Sequence, residues 1–329
     1  MPAAAELPPR PEAPLTLGIS QCLLGEEVRY DGSGAKSSFP HAALAGLFEY
    51  RGICPEMGIG MGVPRAPIRL IEGAAGARAV GVQDPAADFT DRLQDFGARM
   101  VPGLRDVSGY VFMKNSPSCG LFRVKVYPHD GSGVTGAPEH RGRGIYAEAV
   151  VAGLPELPVE ESGRLNDVVL RENFVTRVYA YAHWQRFLAA GLTAHGLIAF
   201  HSRYKYLLMA HSTVHYRDAG RLLGDLSVDL PGVAQRYVGI LMAGLTIPAT
   251  RKSHANVLSH LQGYLKRALD GPSRQELDGL VARYRTGELP LLAPITMLKH
   301  YFRLHPDEYI DYQVYLDPHP QAAALRRPL

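Results

Sequence analysis

Along residues 15–160, short apolar runs alternate with short stretches of helical spacing, separated by Gly- and Pro-rich turns. Residues 15–20 read as a strand that runs into Cys22, and residues 50–53 as a shorter one that runs into Cys54. A helix is predicted over 38–48. Strands over 68–71 and 79–82 flank a Gly-Ala-Ala-Gly turn, as in a hairpin. Residues 88–100 have helical spacing, with Asp88 or Thr90 as the N-cap. Residues 110–113 form another apolar strand, heading towards Cys119. Residues 121–127 form a further one, with Arg123 and Lys125 on one face. A polar, Gly-rich loop over 128–144 precedes a closing helix over 145–153. Strands alternating with helices predict an α/β domain with a Rossmann-like, mainly parallel sheet.

After Arg164 the texture changes. Apolar residues recur at helical spacing over 168–190, 197–223, 233–243, 252–269 and 273–284. Leu258, Leu261, Leu265 and Leu269 form one such stripe. This pattern predicts an all-α domain of five or six helices. The expected organisation is a disordered Pro- and Ala-rich lead-in over 1–14, an α/β domain over 15–165 and a helical domain over 166–329. The linker falls near 155–164.

Composition fits a globular chain: 46% of the 329 residues are hydrophobic and 20% charged. No run approaches the ~18 apolar residues of a membrane helix. The N-terminus lacks the basic and apolar regions of a signal peptide, so a cytoplasmic protein with no membrane contact is expected. Three cysteines, all in the first half, make a disulfide framework improbable and leave thiols for metal or catalysis.

Charge divides unevenly. Residues 1–165 hold 16 Lys and Arg against 19 Asp and Glu, whereas residues 166–329 hold 19 against 13 and ten of the thirteen histidines. A basic second half suits a polyanion. Lys252, Asn256, Ser259, Gly263 and Lys266 fall on one helical face. His201, Arg203, Lys205, His211 and His215 cluster upstream. Basic, tyrosine-bearing faces suit phosphate contact and base stacking, so Arg203, Lys205, Lys252 and Lys266 are candidate RNA contacts.

Each cysteine follows a predicted strand and sits in a loop of small or special residues: Ser20-Gln-Cys22-Leu-Leu-Gly25, Cys54-Pro-Glu-Met-Gly58 and Lys114-Asn-Ser-Pro-Ser-Cys119-Gly120. If the strands are parallel, the thiols converge outside their carboxyl ends, where open α/β sheets place ligands. Three thiolates at one point favour a soft metal. That is either zinc with a fourth ligand or an iron–sulfur cluster with one iron left open as a Lewis acid. Inert packing thiols are the plain alternative. Gly58-Ile-Gly60-Met-Gly62 hints at a dinucleotide loop. Position 63 is Val, however, and the preceding Cys-Pro-Glu does not belong to such a loop.

The segments Cys22-Leu-Leu-Gly-Glu-Glu-Val-Arg-Tyr-Asp-Gly32, Cys54-Pro-Glu-Met-Gly-Ile-Gly-Met-Gly-Val-Pro-Arg65 and Lys114–Gly120 resemble the thiouracil desulfidase (TudS-like) family over about residues 15–165. His201-Ser-Arg-Tyr-Lys-Tyr-Leu-Leu-Met-Ala-His-Ser212, Asn256-Val-Leu-Ser-His-Leu-Gln-Gly-Tyr264 and Gly287-Glu-Leu-Pro-Leu-Leu-Ala-Pro-Ile295 resemble the YbgA-type helical domain. Chains that fuse both resemble RudS-type enzymes, which remove sulfur from 4-thiouridine in tRNA.

The resemblance implies a [4Fe–4S] cluster on Cys22, Cys54 and Cys119 with one open iron, and a catalytic pair of Glu56 and Ser116. Ser118 is the second choice of serine. It implies a non-redox desulfidase that converts 4-thiouridine in tRNA to uridine and hydrosulfide, by sulfur binding to the open iron and water attack. A desulfidase of free thiouracil or thionucleosides and a non-enzymatic RNA-binding module are the alternatives. Tyr30, Asp31, Arg65 and Ser118 are candidate substrate contacts, and Asp31-Gly32 is equally a common turn pair. No obligate protein partner is implied.

Overall fold

The computed structural model describes residues 7–36, 46–131, 133–227 and 229–320. The chain divides into two compact units, one from Ala13 to Asn166 and one from Asp167 onward that also takes in the N-terminal segment up to Glu12.

In the first unit the elements run β1 (Leu15–Ser20), β2 (Phe48–Ile53), α1 (Pro55–Gly58), β3 (Ile68–Gly73), β4 (Gly76–Gly81), α2 (Thr90–Met100), β5 (Tyr110–Phe112), β6 (Val124–Tyr127), β7 (Glu139–Gly142), α3 (Ile145–Gly153) and β8 (Val159–Glu161). They build two four-stranded sheets. The first has the order β2-β1-β5-β8 with every pair parallel. The second, β4-β3-β6-β7, is antiparallel at both edges and parallel between β3 and β6. Central strands of a parallel sheet are covered on both faces and so read as continuous apolar runs. Leu17, Ile19, Tyr110, Val111 and Phe112 are accordingly fully buried. A Cβ at Gly18 would lie 2.3 Å from the Tyr110 ring, which crosses β1 there.

The predicted α/β character holds, with local corrections. The helix expected over 38–48 falls mostly outside the described residues. Residues 128–144 are not one loop, because β7 lies within them. The expected linker near 155–164 contains β8, which adds to the edge of the parallel sheet beside β5. The strand expected from residue 121 begins only at Val124, because Arg123 adopts a left-handed backbone with φ 54°. Helix α2 starts at Thr90, with Phe89 as N-cap, while Asp88 Oδ1 accepts from the Thr90 amide at 2.8 Å.

The second unit holds α4 (Val168–Ala190), α5 (Ala194–His211), α6 (Thr213–Leu222), α7 (Leu230–Leu245), α8 (Arg251–Gln262), α9 (Gly271–Thr286), α10 (Leu292–Leu304) and α11 (Glu308–Asp311). These eight helices among the described residues exceed the five or six expected. The periodic run over 197–223 is two helices, parted where Ser212 leaves helical geometry and caps α6 through its side chain. Asp167, Thr193, Asp229, Thr250 and Asp270 cap α4, α5, α7, α8 and α9 in the same way.

Residues 7–12 of the expected disordered lead-in pack on this unit. Leu7 joins its core, and the Pro8 carbonyl lies 3.1 Å from His183 Nε2. An apolar side chain and a buried polar partner hold this Pro-rich segment in place. No helix among the described residues is long and apolar enough to cross a membrane.

Candidate active site

β1, β2 and β5 lie side by side and parallel, and each is followed by a cysteine loop. The three loops therefore meet at the carboxyl end of one sheet. A cavity of ≈ 400 Å³ opens there, lined by all three cysteines together with Glu56, Arg65, Ser116 and Ser118.

Each loop is fixed by local chemistry. Cys22 sits in a 3-10 turn over Gln21–Leu24 that Gly25 closes at φ 95°, a conformation suited to glycine. Its carbonyl accepts from Gly25 and Ala35. Cys54 is the N-cap of α1 and Pro55 its first residue, a position where a missing amide hydrogen costs nothing. Glu56 thus enters the first turn, facing the cavity. The Ser-Pro-Ser-Cys loop is held by α3. The amides of Ile145 and Ala147 donate to the Pro117 and Ser118 carbonyls at 3.1 Å each. A Cβ at Gly144 would stand 2.4 Å from the Ser118 carbonyl, so glycine is needed for this approach.

The polar groups form one chain. The Arg65 guanidinium clasps Glu56 Oε2 through Nε and Nη2, both at 2.7 Å. Its other donors go to the Gly62 and Val28 carbonyls at 2.8 and 2.9 Å. On the opposite side Ser118 Oγ donates to Glu56 Oε1 at 2.5 Å. Ser116 Oγ lies 3.0 Å from Ser118 Oγ and accepts from the Cys119 amide at 3.0 Å. Because the Ser118 proton is directed to Glu56, Ser116 is the donor of the pair. The order is Ser116, Ser118, Glu56, Arg65, and Ser116 reaches the carboxylate only through Ser118.

Burial raises the pKa of all three thiols. Cys22 is pushed up to about 11 by burial and then by the Cys54 charge, with Arg29 opposing. Cys54 and Cys119 also shift upward, chiefly by burial. Cys22, Cys54 and Glu56 add to the rise at Cys119, so a charge at one of these sites is felt at the others. Without a cation the thiols stay protonated, whereas a bound metal deprotonates its thiol ligands outright. Three thiols on one cavity, Cys119 buried and Cys22 and Cys54 half-buried, match the ligand chemistry of an iron–sulfur centre. Among the described residues, no three His, Cys, Asp or Glu side chains stand together as ligands to a single metal ion.

The other sequence candidates divide. Tyr30 is 43% exposed and lines the cavity mouth. Arg65 lines it too, but its donors are turned to the protein. Asp31 is not among the lining residues. Its carboxylate accepts from the Ser33 amide and hydroxyl at 3.0 and 2.6 Å, which holds it below the usual carboxylate range. Asp31 is therefore turn chemistry, as its Asp-Gly sequence also permitted.

Arg29, Lys114 and Asn115 line the cavity and were not singled out from the sequence. They lie inside the motif segments, which was the only signal for them. Ser20 was also missed. It is buried and hydrogen-bonds the Met113 amide at 2.9 Å.

In the helical unit Lys252 and Lys266 are exposed as expected, although Lys266 lies beyond the end of α8. Arg203 is half-buried over the Tyr312 ring, and Lys205 sits between Tyr206 and Tyr309. These two are tied into aromatic packing rather than standing free.

Residues 17–162 match the family model described as 2-thiouracil desulfurase, and residues 205–320 match one described as a protein of unknown function, DUF1722. The uncharacterized protein YbgA of Escherichia coli (strain K12) is 36% identical over 157 residues, covering 47% of this chain and 93% of YbgA. The chain is a thiouracil desulfidase-type domain fused to a YbgA-type domain. By family, then, it is a desulfidase. The uncharacterized protein YbbK of Bacillus subtilis (strain 168) is 28% identical over 127 residues, 36% of this chain and 82% of YbbK. Among solved structures, the [4Fe-4S]-dependent thiouracil desulfidase TudS is similar at 26% identity over 46% of this chain and 93% of its own, with a TM-score of 0.33.

Proposed function

We propose that this desulfidase removes sulfur from a thiolated pyrimidine, 4-thiouridine in tRNA, giving uridine and hydrosulfide. The observation that carries the chemistry is the Glu56 carboxylate, held between Arg65 and Ser118 in the cavity that the three cysteines line.

Cys22, Cys54 and Cys119 would hold a [4Fe–4S] cluster. Ligands to a cluster bind different irons and therefore stand further apart than ligands to one ion. When bound, the cluster supplies a Lewis-acidic iron suited to a soft sulfur atom.

The protein's own groups account for the rest. Glu56 accepts the proton of a water that adds to the thiocarbonyl carbon, which is general-base work worth about 10²–10⁴ in rate. Arg65 fixes the carboxylate from behind and leaves Oε1 turned to Ser118. The Ser116–Ser118–Glu56 chain is a path by which that proton returns to the departing sulfur or to a ring nitrogen. Ser118 is thus the serine in direct contact with the base, and Ser116 supports it from one hydrogen bond away. Tyr30 at the mouth offers a ring on which a pyrimidine stacks.

The substrate is tested by comparing thiolated tRNA, 4-thiouridine and 2-thiouracil with the same anaerobically purified full chain. Hydrosulfide release is expected, with the fastest turnover from tRNA. Faster release from free 2-thiouracil than from tRNA would replace this substrate with the free base. A protein that binds RNA but carries no iron and releases no hydrosulfide would be a binding module.

A further inference from the structure

A second depression, of ≈ 1070 Å³, adjoins the cysteine cavity, and Lys114 and Asn115 line both. Its cations are Lys114, Arg123, Arg141, Arg143 and Arg164, with His140 beside them, against the carboxylates of Glu148 and Glu161. Arg141 and Arg164 are paired to acids, Glu72 and Glu139 for the first and Glu160 for the second. Glu161 is buried and spent on the Leu121 and Phe122 amides at 2.8 and 3.0 Å. Lys114 and Arg123 are exposed and, among the described residues, have no carboxylate partner. Arg143 makes, among the described residues, a 3.3 Å contact from Nε to the Leu121 carbonyl and no ion pair.

Two further features mark the place. Phe122 is 37% exposed, with the Arg164 guanidinium 4.9 Å from its ring centroid. Asn115 and Arg123 are the non-glycine residues with positive φ among the described residues, at 60° and 54°, and both line this depression. For Arg123 that backbone is unfavourable, and it delays the start of β6 to Val124, leaving Arg123 exposed just outside the strand.

We propose that this depression binds the phosphodiester backbone of single-stranded RNA next to the thiolated nucleotide. The inference deepens the tRNA reading above and rests on it. Cations without a carboxylate partner among the described residues, in the same depression as an exposed aromatic ring and beside the cavity that takes the base, are what a flexible strand requires: charge for its phosphates and a platform for a neighbouring base. A free thiobase has no phosphate to engage them. The surface lies in the half of the chain whose net charge is negative, so its basic character is a product of folding and not of composition.

The test is binding of a short fluorescent oligouridylate to the full-length protein, followed by anisotropy between about 50 and 200 mM salt. Arg123→Gln/Arg143→Gln should weaken binding about fivefold or more and reduce the slope of log affinity against log salt by about 1.4, at ~0.7 for each phosphate no longer neutralised. Arg123→Lys/Arg143→Lys should restore most of both and shows that the fold is intact. Unchanged affinity and slope in the Gln variant would overturn the proposal. Uridine monophosphate competing as well as the oligomer would also overturn it, in favour of a single-phosphate site. Failure of the tRNA reading looks different. In that case thiolated RNA binds with the predicted salt slope, which flattens in the Gln variant, yet releases no hydrosulfide.

Discussion

The two units bury polar side chains to opposite ends. In the α/β unit Glu56, Arg65, Ser118 and the three thiols converge on one cavity, and the hydrogen bonds of the carboxylate are aimed at its wall. In the helical unit several buried polar groups serve cohesion instead. His183 joins Tyr204 to the Pro8 carbonyl, His211 meets the Ile247 carbonyl, His254 meets Tyr315, and Asn173 donates to the Leu245 carbonyl. What distinguishes a site is that its polar groups face a space instead of each other.

The sharpest way to break this contrast is to remove Arg65. With side-chain exposures of 5% and 13%, Arg65 and Glu56 form a buried pair, and Arg65→Met leaves the carboxylate uncompensated. A loss of about 3–5 kcal/mol in urea unfolding is expected. A loss near zero would mean that Glu56 is solvated rather than held.

His183 is next. Burial lowers its pKa to about 4, so the folded state refuses a proton that the unfolded state accepts near 6.5. Stability therefore rises with pH across this window and is lost as pH falls from about 6.5 to 4, by about 3 kcal/mol. His183→Gln should remove this contribution and leave that of His201, which burial also lowers to about 4. A helical unit equally stable at both ends of the window would show that His183 is not the buried cohesive group described.

Smaller effects separate the two serines. Ser118→Ala should cost at least about tenfold in turnover, some 1.4 kcal/mol, and more than Ser116→Ala. The reverse order would return the direct role to Ser116. Smallest is Asp167→Ala. It removes the cap whose Oδ1 accepts from Val169 and Leu170 and should lower stability by about 1 kcal/mol with turnover intact.

The parallel strands were legible because Leu15–Ser20 and Tyr110–Phe112 are apolar runs, and the convergence of the cysteines followed from their places after strands. β7 was hidden because Glu-His-Arg-Gly is an exposed edge strand without alternation. β8 was hidden because Val-Glu-Glu reads as linker, although both carboxylates are buried, Glu160 on Arg164 and Glu161 on loop amides. The link between Glu56 and Ser118 spans 62 positions and exists only once the sheet is formed. Nor did sequence distinguish exposed cations from packed ones. Arg203 and Lys205 looked like RNA contacts and lie against tyrosines, while Arg123 looked like an ordinary strand residue and stands exposed, with a left-handed backbone, just before β6.

The most direct test is Glu56→Gln, with hydrosulfide release from 4-thiouridine-containing tRNA measured against iron content. Iron and cluster absorbance should equal those of the unaltered chain, with turnover lower by about 10²–10⁴-fold. Undiminished hydrosulfide release by the iron-loaded variant would contradict a general-base role for Glu56, since no other carboxylate lines the cavity among the described residues.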